Sequence, residues 1–449
     1  MNFREKGIIE RLVSGTDWFI IIAVAFIAAI GFCAIYSATV NYGTSSRYLF
    51  VQFLALSIGV MGMLLLTVFN YQYYKQLDKG VFIFSVILLI SVLVFGSEIR
   101  GTKGWFKLGF ASFQPVEIAK IMYILVLSSF LDRKWKDAKK PSIIIGAFAI
   151  LMAHLALIMM QPDFSSTLSY FPVTLVLLYA IGAETFYLLC IVIFGALAVG
   201  IPLANTFLKL HASPAQEASF AGNIFNYIYE GYAGIYILIA VIAFIFFIWW
   251  IMWKLRIRVA VLYPVLLCCA ITFGCVASIP VEKSLKEYQR KRLVVFLKPE
   301  ADPRGAGYNI IQSKIAIGSG KLFGKGFVKG TQTQLGFLPE QHTDFIFSVV
   351  GEEGGWFFSQ LVILFYLFFI WRALIISAES RDRYGSLLAV GIATMFAFYT
   401  VINIGMVMGM MPATGVPLLL MSYGGSSMLS SLFSVGILQS IYMRRHTYY

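Results

Sequence analysis

Charged side chains are scarce in this sequence. Only 13% of its 449 residues are Asp, Glu, Lys or Arg, whereas apolar residues make up 59%. Soluble globular domains carry about 25% charged and roughly 45–50% apolar residues. The scarcity of charge excludes an ordinary soluble enzyme and indicates a chain that lies largely within a lipid bilayer.

Histidine and cysteine are also few, at four and five residues. The cysteines lie in apolar segments, and none stands at a metal-ligand spacing from a histidine. The sequence therefore predicts no metal centre and no evident cofactor site. Acidic residues number 22 against 35 Lys and Arg. This excess does not indicate a nucleic-acid partner, because membrane proteins concentrate Lys and Arg in cytoplasmic loops.

Apolar runs of about 20 residues recur along the chain, which is the length of a helix that crosses a bilayer. Barrel strands would instead alternate over segments of about ten residues. We therefore predict an all-α polytopic membrane protein that forms a single integral membrane domain over residues 1–449, with about twelve transmembrane helices. The predicted spans are residues 18–38, 49–69, 81–95, 116–131, 142–160, 167–181, 186–204, 235–253, 259–279, 345–371, 387–408 and 417–443.

The distribution of basic residues predicts the orientation. With both termini in the cytoplasm, the inner segments hold eighteen Lys and Arg and the short outer loops hold five. Basic residues favour the cytoplasmic side of short loops. We therefore predict a multi-pass membrane protein with both termini cytoplasmic.

Residues 280–344 form a long outer segment without an apolar span, and it carries eleven Lys and Arg. Long outer loops are exempt from the topology rule, so this charge needs another cause. A basic cavity would attract an anionic partner such as a lipid pyrophosphate or a membrane headgroup. Solvated surface charge is the alternative.

Ionisable residues inside spans are expensive and mark either function or close pairing. Glu117 and Lys120 stand three apart in the fourth predicted span, so they share a helix face and are able to pair. A functional pair and a structural ion pair both fit the residues. Four further ionisable residues have structural interpretations. These are hydrogen-bonded packing for His154, helix capping for Asp163, and ion pairing for Glu352 and Glu353.

Asp302 is the strongest catalytic candidate. It lies in the basic outer segment, in the stretch EADPRGAGY. A carboxylate among cations at the membrane surface is suited to take a proton from a sugar hydroxyl. A plain turn aspartate is the alternative, because Asp-Pro followed by glycines is also a turn signal.

Five stretches together resemble the SEDS family, the RodA, FtsW and SpoVE group of shape, division and sporulation proteins. They are residues 101–120, 161–167 (QPDFSST), 288–327, 331–355 and 403–427. The resemblance is greatest to the elongation branch of that family. It covers nearly the whole chain except for about residues 206–258. It implies a core of ten helices, a probable insertion at 206–258 that adds a hairpin, and an extracytoplasmic catalytic loop at 280–344.

The resemblance also implies an activity. The expected enzyme is a peptidoglycan glycosyltransferase that polymerises lipid II during elongation and maintenance of cell shape, at an extracytoplasmic active site. Asp302 matches the family's essential aspartate and is expected to act as general base. The expected substrate-binding residues are Glu117, Lys120, Trp105, Arg290, Arg292, Arg304, Gln312, Lys314 and His342.

The expected partners are lipid II, a class B penicillin-binding protein that acts as transpeptidase, other proteins of the elongation complex and membrane lipids. Whether a divalent cation assists the pyrophosphate is left open by the sequence. Two other functions also remain open, namely a lipid II flippase or transporter and a non-catalytic scaffold of the elongation complex.

The orientation is directly testable. Single cysteines placed at residue 137 and at residue 302 of a cysteine-free variant should differ in intact cells. A membrane-impermeant maleimide should label residue 302 and spare residue 137, because the first is predicted outside and the second inside. Labelling in the opposite order would contradict the predicted topology.

Overall fold

A computed structural model of the chain describes residues 15–43, 45–99, 101–109, 111–211, 233–256, 260–284, 295–296 and 306–445. Helices dominate these residues, and a small antiparallel sheet of order β1-β2-β3 precedes one of them. The strands are β1 Ser97–Ile99, β2 Thr102–Leu108 and β3 Ala111–Phe113.

The helices are α1 Trp18–Thr39, α2 Ser45–Val68, α3 Gln72–Gln76, α4 Asp78–Phe95, α5 Pro115–Arg133, α6 Pro141–Met160, α7 Phe164–Ala180, α8 Thr185–His211, α9 Ala233–Lys254, α10 Leu262–Ser284, α11 Ala306–Ser319, α12 Thr331–Gln334, α13 Ile346–Glu379, α14 Arg383–Val407 and α15 Gly425–Met443. Short 3₁₀ turns cover Val40–Tyr42 and Trp135–Asp137.

The predicted fold class is confirmed. Among the described residues, twelve helices are 17 residues or longer, and they match the twelve predicted spans in order. Eight of the described helices are long and apolar enough to cross a bilayer by composition. One predicted span is wrong at its start: residues 417–424 are not helical, and α15 begins only at Gly425.

The chain forms two compact units, Met1–Gly182 with Asn309–Tyr449, and Ala183–Tyr308. In the second unit α8 packs along α10 and α9 packs on α10. Gly274 allows a close approach of α10 to α8, because a Cβ there would lie 3.0 Å from the Leu197 Cβ. Small residues let membrane helices pack backbone to backbone in this way.

The first unit contains the candidate residues that the structure describes. Helices α2 and α15 approach closely, since a Cβ on Gly436 would lie 2.6 Å from the Met63 carbonyl oxygen. Helix α13 is kinked at Gly355, whose φ of 69° lies in the left-handed region that favours glycine. The segment that contains Gly324 occupies the kink, because a Cβ on Gly355 would lie 2.2 Å from the Gly324 nitrogen.

Residues 412–418, between α14 and α15, are neither helix nor strand, and Val416 and Leu418 are buried. Unpaired backbone groups are costly inside a membrane protein, so side chains must satisfy them. The Asn403 Nδ2 donates to the carbonyl oxygens of Asp344, at 2.8 Å, and Val416, at 2.7 Å. The Tyr366 hydroxyl donates to the Leu419 carbonyl at 2.7 Å. We call residues 412–424 the re-entrant segment.

Replacement of Asn403 by Leu should destabilise the first unit. The substitution removes one donor from the carbonyl oxygens of Val416, which is buried, and Asp344, which is half-buried, at an expected loss of about 1–3 kcal/mol. Thermal unfolding of the purified protein in detergent, followed by the loss of its monodisperse chromatographic peak, would measure the effect.

The matched control is Thr394→Ala on the same helix. The Thr394 hydroxyl bonds only the Val390 carbonyl of its own helix, so its loss should leave the unfolding temperature almost unchanged. Equal unfolding temperatures for Asn403→Leu and the control would contradict this account of the re-entrant segment.

Candidate active site

Helix α5 begins where three parts of the first unit meet. Pro115 occupies its first turn, where the missing N–H is not needed. The Gln114 backbone N–H donates to the Ser426 hydroxyl of α15 at 2.7 Å, and the Gln114 side-chain amide donates to the Asp163 carboxylate at 2.8 Å. Asp163 caps α7 by accepting from the Ser166 N–H at 3.0 Å, as its position after Pro162 suggested. The starts of α5, α7 and α15 are therefore tied together.

Glu117 and Lys120 form a buried ion pair one turn into α5. The Lys120 Nζ lies 2.6 Å from the Glu117 Oε1, and the two residues are 4% and 5% exposed. The Lys120 ammonium also donates to the phenol oxygen of Tyr399 on α14 and lies 4.6 Å from the centre of that ring. The Ser430 hydroxyl of α15 is 3.5 Å from the other Glu117 oxygen. The pair thus joins α5 to α14 and α15.

Further polar side chains of α4, α5, α6 and α7 contact one another. The Tyr123 and Thr174 hydroxyls are 2.5 Å apart. The His154 Nε2 lies 3.0 Å from the Ser85 hydroxyl, and its Nδ1 lies 3.0 Å from the Ile150 carbonyl. His154 is therefore a hydrogen-bonded packing residue, and its ring contacts that of Tyr123 at 5.2 Å.

The structure explains why Glu352, a charged residue, stands inside α13. It is fully buried, and its carboxylate accepts from the Lys325 Nζ at 2.8 Å and from the backbone N–H groups of Gln332 and Thr333 at 2.9 and 3.0 Å. A carboxylate with this many donors fixes the segment that carries them. Glu352 therefore holds α12 against α13.

Glu353 is held in a similar way. Its carboxylate accepts from the Ser37 hydroxyl at 2.5 Å and from the Gln334 side chain at 3.4 Å. These contacts tie α13 to the end of α1 and to α12. Both glutamates are thus accounted for by the packing of α12 and Lys325 against α1 and α13.

Gln312 and Lys314 lie on α11, which is anchored by the residue between them. The Ser313 hydroxyl donates to the Val407 carbonyl at 2.6 Å. Gln312 is half-buried and Lys314 is exposed. The Lys314 side chain runs beside Gly409, just beyond the C-terminal end of α14. The C-terminal end of a helix carries partial negative charge, which favours a nearby cation. Lys314 therefore has a structural role in addition to any role in binding.

The remaining described candidates lie on two other elements. Trp105 is half-buried in β2, opposite Ser97 of β1. The His342 ring contacts those of Tyr48 on α2, at 4.8 Å, and Tyr423 in the re-entrant segment, at 5.6 Å. Asp302, Arg290, Arg292 and Arg304 lie outside the described residues. The structure therefore brings together Glu117 and Lys120, and His342 with two tyrosines.

Sequence reasoning missed Tyr399 and Ser430, the two partners of the ion pair. Each is a polar residue in an apolar helix, which is a weak signal by itself. Their partners lie 279 and 313 residues away in the sequence, so periodicity along one helix does not reveal them.

The ion pair yields a stability prediction. Lys120→Met should destabilise the protein by about 3–5 kcal/mol, because it leaves the Glu117 carboxylate buried without its partner. The double variant Glu117→Gln/Lys120→Met should recover most of that loss, since no unpaired charge remains. Thermal unfolding in detergent would measure both variants.

The exposed pair Lys140–Asp137 provides the control, because its side chains are 68% and 47% exposed. Lys140→Met should change stability by less than about 1 kcal/mol. A double variant at the buried pair that is no more stable than Lys120→Met alone would contradict the ion-pair account.

Comparison with known proteins identifies the family. The family model of the FtsW, RodA and SpoVE cell cycle proteins matches residues 17–221 and 224–447. The chain is 35% identical over 442 residues to the peptidoglycan glycosyltransferase RodA of Treponema pallidum, covering 97% of this chain and 99% of that protein. It is 30% identical over 416 residues to the peptidoglycan glycosyltransferase MrdB of Escherichia coli strain K12, covering 92% and 90%.

Solved structures agree on the fold. A peptidoglycan synthase complex, described as coordinating polymerization and crosslinking, contains a chain with a TM-score of 0.65 and 23% identity, covering 96% of this chain and 98% of that chain. The rod shape determining protein RodA of Thermus thermophilus gives a TM-score of 0.58 at 21% identity, covering 96% and 98%. The match of the family model, together with relatives at 30% identity or more, shows that the chain belongs to the FtsW, RodA and SpoVE family, known as SEDS proteins.

Proposed function

We propose that this chain is a peptidoglycan glycosyltransferase that polymerises lipid II during cell elongation. The observation that carries the proposal is the relationship along almost the whole chain to two proteins named peptidoglycan glycosyltransferases. The buried Glu117–Lys120 pair supports it, because an ion pair inside a membrane bundle marks a site that function maintains at an energetic cost.

The chemistry follows from the substrate. The 4-hydroxyl of the acceptor's N-acetylglucosamine attacks C1 of the donor's N-acetylmuramic acid. The bond from C1 to the pyrophosphate oxygen breaks, and its electron pair leaves with undecaprenyl pyrophosphate. Asp302, as general base, takes the proton of the attacking hydroxyl. Attack opposite the leaving group inverts the anomeric centre.

The leaving pyrophosphate gains negative charge as the bond breaks. Fixed cations stabilise such charge more in the transition state than in the ground state. We assign this role to Arg290, Arg292, Arg304 and Lys314. Lys314 is exposed on α11, so its ammonium is accessible to a lipid headgroup.

The remaining candidates are assigned to binding. The Glu117–Lys120 pair lines the interior where α5, α14 and α15 meet, and it holds these helices in one arrangement. Trp105, Gln312 and His342 are half-buried, so each retains a surface for a substrate. No cofactor is included in the proposal.

The proposed setting is the bacterial inner membrane, with both termini cytoplasmic and the active site outside. The proposed partner is a class B penicillin-binding protein, together with other proteins of the elongation complex. The structural relative from a complex that coordinates polymerization and crosslinking supports this partnership.

A lipid flippase is the second candidate function. The buried ion pair favours it, because charged residues within spans also mark translocation paths. Movement of fluorescent lipid II across liposomes without polymer formation would favour the flippase. Normal growth of cells that carry Asp302→Ala would instead favour a non-catalytic scaffold.

Asp302→Asn should abolish glycan synthesis. The amide cannot accept the hydroxyl proton as a base, so we expect a loss of about 10²–10⁴-fold or more in rate. Purified protein, alone and with its transpeptidase partner, would be incubated with labelled lipid II, and the polymer would be resolved by electrophoresis.

The control is Asp137→Asn, at a carboxylate that pairs with Lys140 on an exposed turn. It should polymerise lipid II like the wild type. Polymer of normal length and yield from Asp302→Asn would refute the role of Asp302 as general base.

A further inference from the structure

Three aromatic rings from separate segments meet in the first unit. The Tyr48 and Tyr423 rings stand edge to face, with centroids 4.9 Å apart and an interplanar angle of 85°. The His342 ring lies 4.8 Å from Tyr48 and 5.6 Å from Tyr423. All three residues are half-exposed. We call Tyr48, His342 and Tyr423 the aromatic cluster.

The backbone that carries the cluster is fixed by buried hydrogen bonds. The Tyr423 N–H donates to the His342 carbonyl at 2.9 Å. The fully buried Gln52 bonds the backbone on both sides of Tyr423. Its side-chain NH₂ donates to the Ser422 carbonyl at 3.3 Å, and its side-chain oxygen accepts from the Gly424 N–H at 3.1 Å. A ring on so constrained a backbone loses little entropy when a ligand binds.

The cluster adjoins the buried ion pair through α15. Tyr423 precedes the first residue of α15 by two positions, and Ser430, which contacts Glu117, lies five residues into that helix. At about 1.5 Å per residue, the rise from Gly425 to Ser430 is about 8 Å.

The polar groups of the cluster suit a neutral, hydroxyl-rich ligand. A phenol is protonated at neutral pH, so the Tyr423 hydroxyl is able to donate a hydrogen bond. The adjoining Arg47 is exposed and supplies a cationic donor at the rim.

We propose that the aromatic cluster is a saccharide platform that stacks a pyranose ring of an N-acetylhexosamine glycan. The C–H face of a pyranose is apolar and weakly positive, and it packs on the negative face of an aromatic ring. The phenol of Tyr423 and the guanidinium of Arg47 would bond the sugar's outer hydroxyl and amide groups. The proposal rests on the proposed function, which supplies such a glycan as acceptor and product.

Interfacial tyrosines also serve as membrane anchors. Anchor residues act through contact with lipid headgroups and need no fixed neighbours. The aromatic cluster differs, because its rings contact one another and Gln52 brackets the backbone of Tyr423. This preorganisation favours recognition of a shaped ligand.

Binding of chitotetraose, a soluble β-1,4-linked tetramer of N-acetylglucosamine, to the purified full-length protein would test the platform by calorimetry. Tyr423→Ala and Tyr48→Ala should each raise the Kd about tenfold, which is the value of one aromatic contact. Tyr423→Phe, which keeps the ring, should stay within about threefold. The control Tyr36→Ala removes a half-exposed tyrosine that stacks on Phe327 outside the cluster, and it should bind like the wild type.

A second arm uses labelled lipid II. If the platform holds the growing strand, the alanine variants should give shorter polymers. If it holds the acceptor lipid II, they should raise the KM with an unchanged kcat. Either result supports the platform. Chitotetraose binding that is unaltered in both alanine variants, at thermal stability equal to the wild type, would overturn it.

The two arms separate this inference from the proposed function. If the wild type forms no polymer while chitotetraose binding depends on Tyr48 and Tyr423, the proposed function fails and the platform stands. If polymer forms with the same length and KM in all variants, the polymerase stands and the platform fails.

Discussion

The Glu117–Lys120 ion pair is the interaction on which the organisation of the first unit depends. Two charges inside a membrane bundle are tolerated only where hydrogen bonds and pairing offset their desolvation. Here the ammonium is shared with Tyr399, and the carboxylate is approached by Ser430. One pair thereby fixes the relative positions of three helices, and the tie between Gln114 and Ser426 repeats the same junction one turn earlier.

The re-entrant segment is the second constraint, and it extends the first. Its backbone needs donors and acceptors from surrounding helices, which Asn403, Tyr366 and Gln52 supply. These side chains fix an irregular, largely apolar strip of chain as a rigid wall that leads into α15. The aromatic cluster stands at one end of this wall, and the ion pair stands beside α15 within two helical turns of its start. The aromatic cluster and the buried charge are therefore linked through one continuous piece of backbone.

Much of the fold was predictable from the sequence, because spanning helices must be apolar for about 20 residues. The i,i+3 spacing of Glu117 and Lys120 likewise predicted their pairing. The start of α15 was not predictable in this way: Val416 and Leu418 are apolar because they are buried in irregular chain, and hydropathy does not distinguish such chain from a helix. Tyr399, Ser430 and the bracket formed by Gln52 join residues hundreds of positions apart, so only the folded chain reveals them. The role of Asp302 rests on family resemblance and chemistry.

Under the proposed function, the buried charges of Glu117 and Lys120 serve polymerisation as well as stability. The most direct test is polymer formation from labelled lipid II by Glu117→Gln/Lys120→Met, assayed with the transpeptidase partner at a temperature where the variant is fully folded. The wild type should form a glycan ladder and the variant none. A ladder of wild-type length and yield from the folded variant would contradict this expectation.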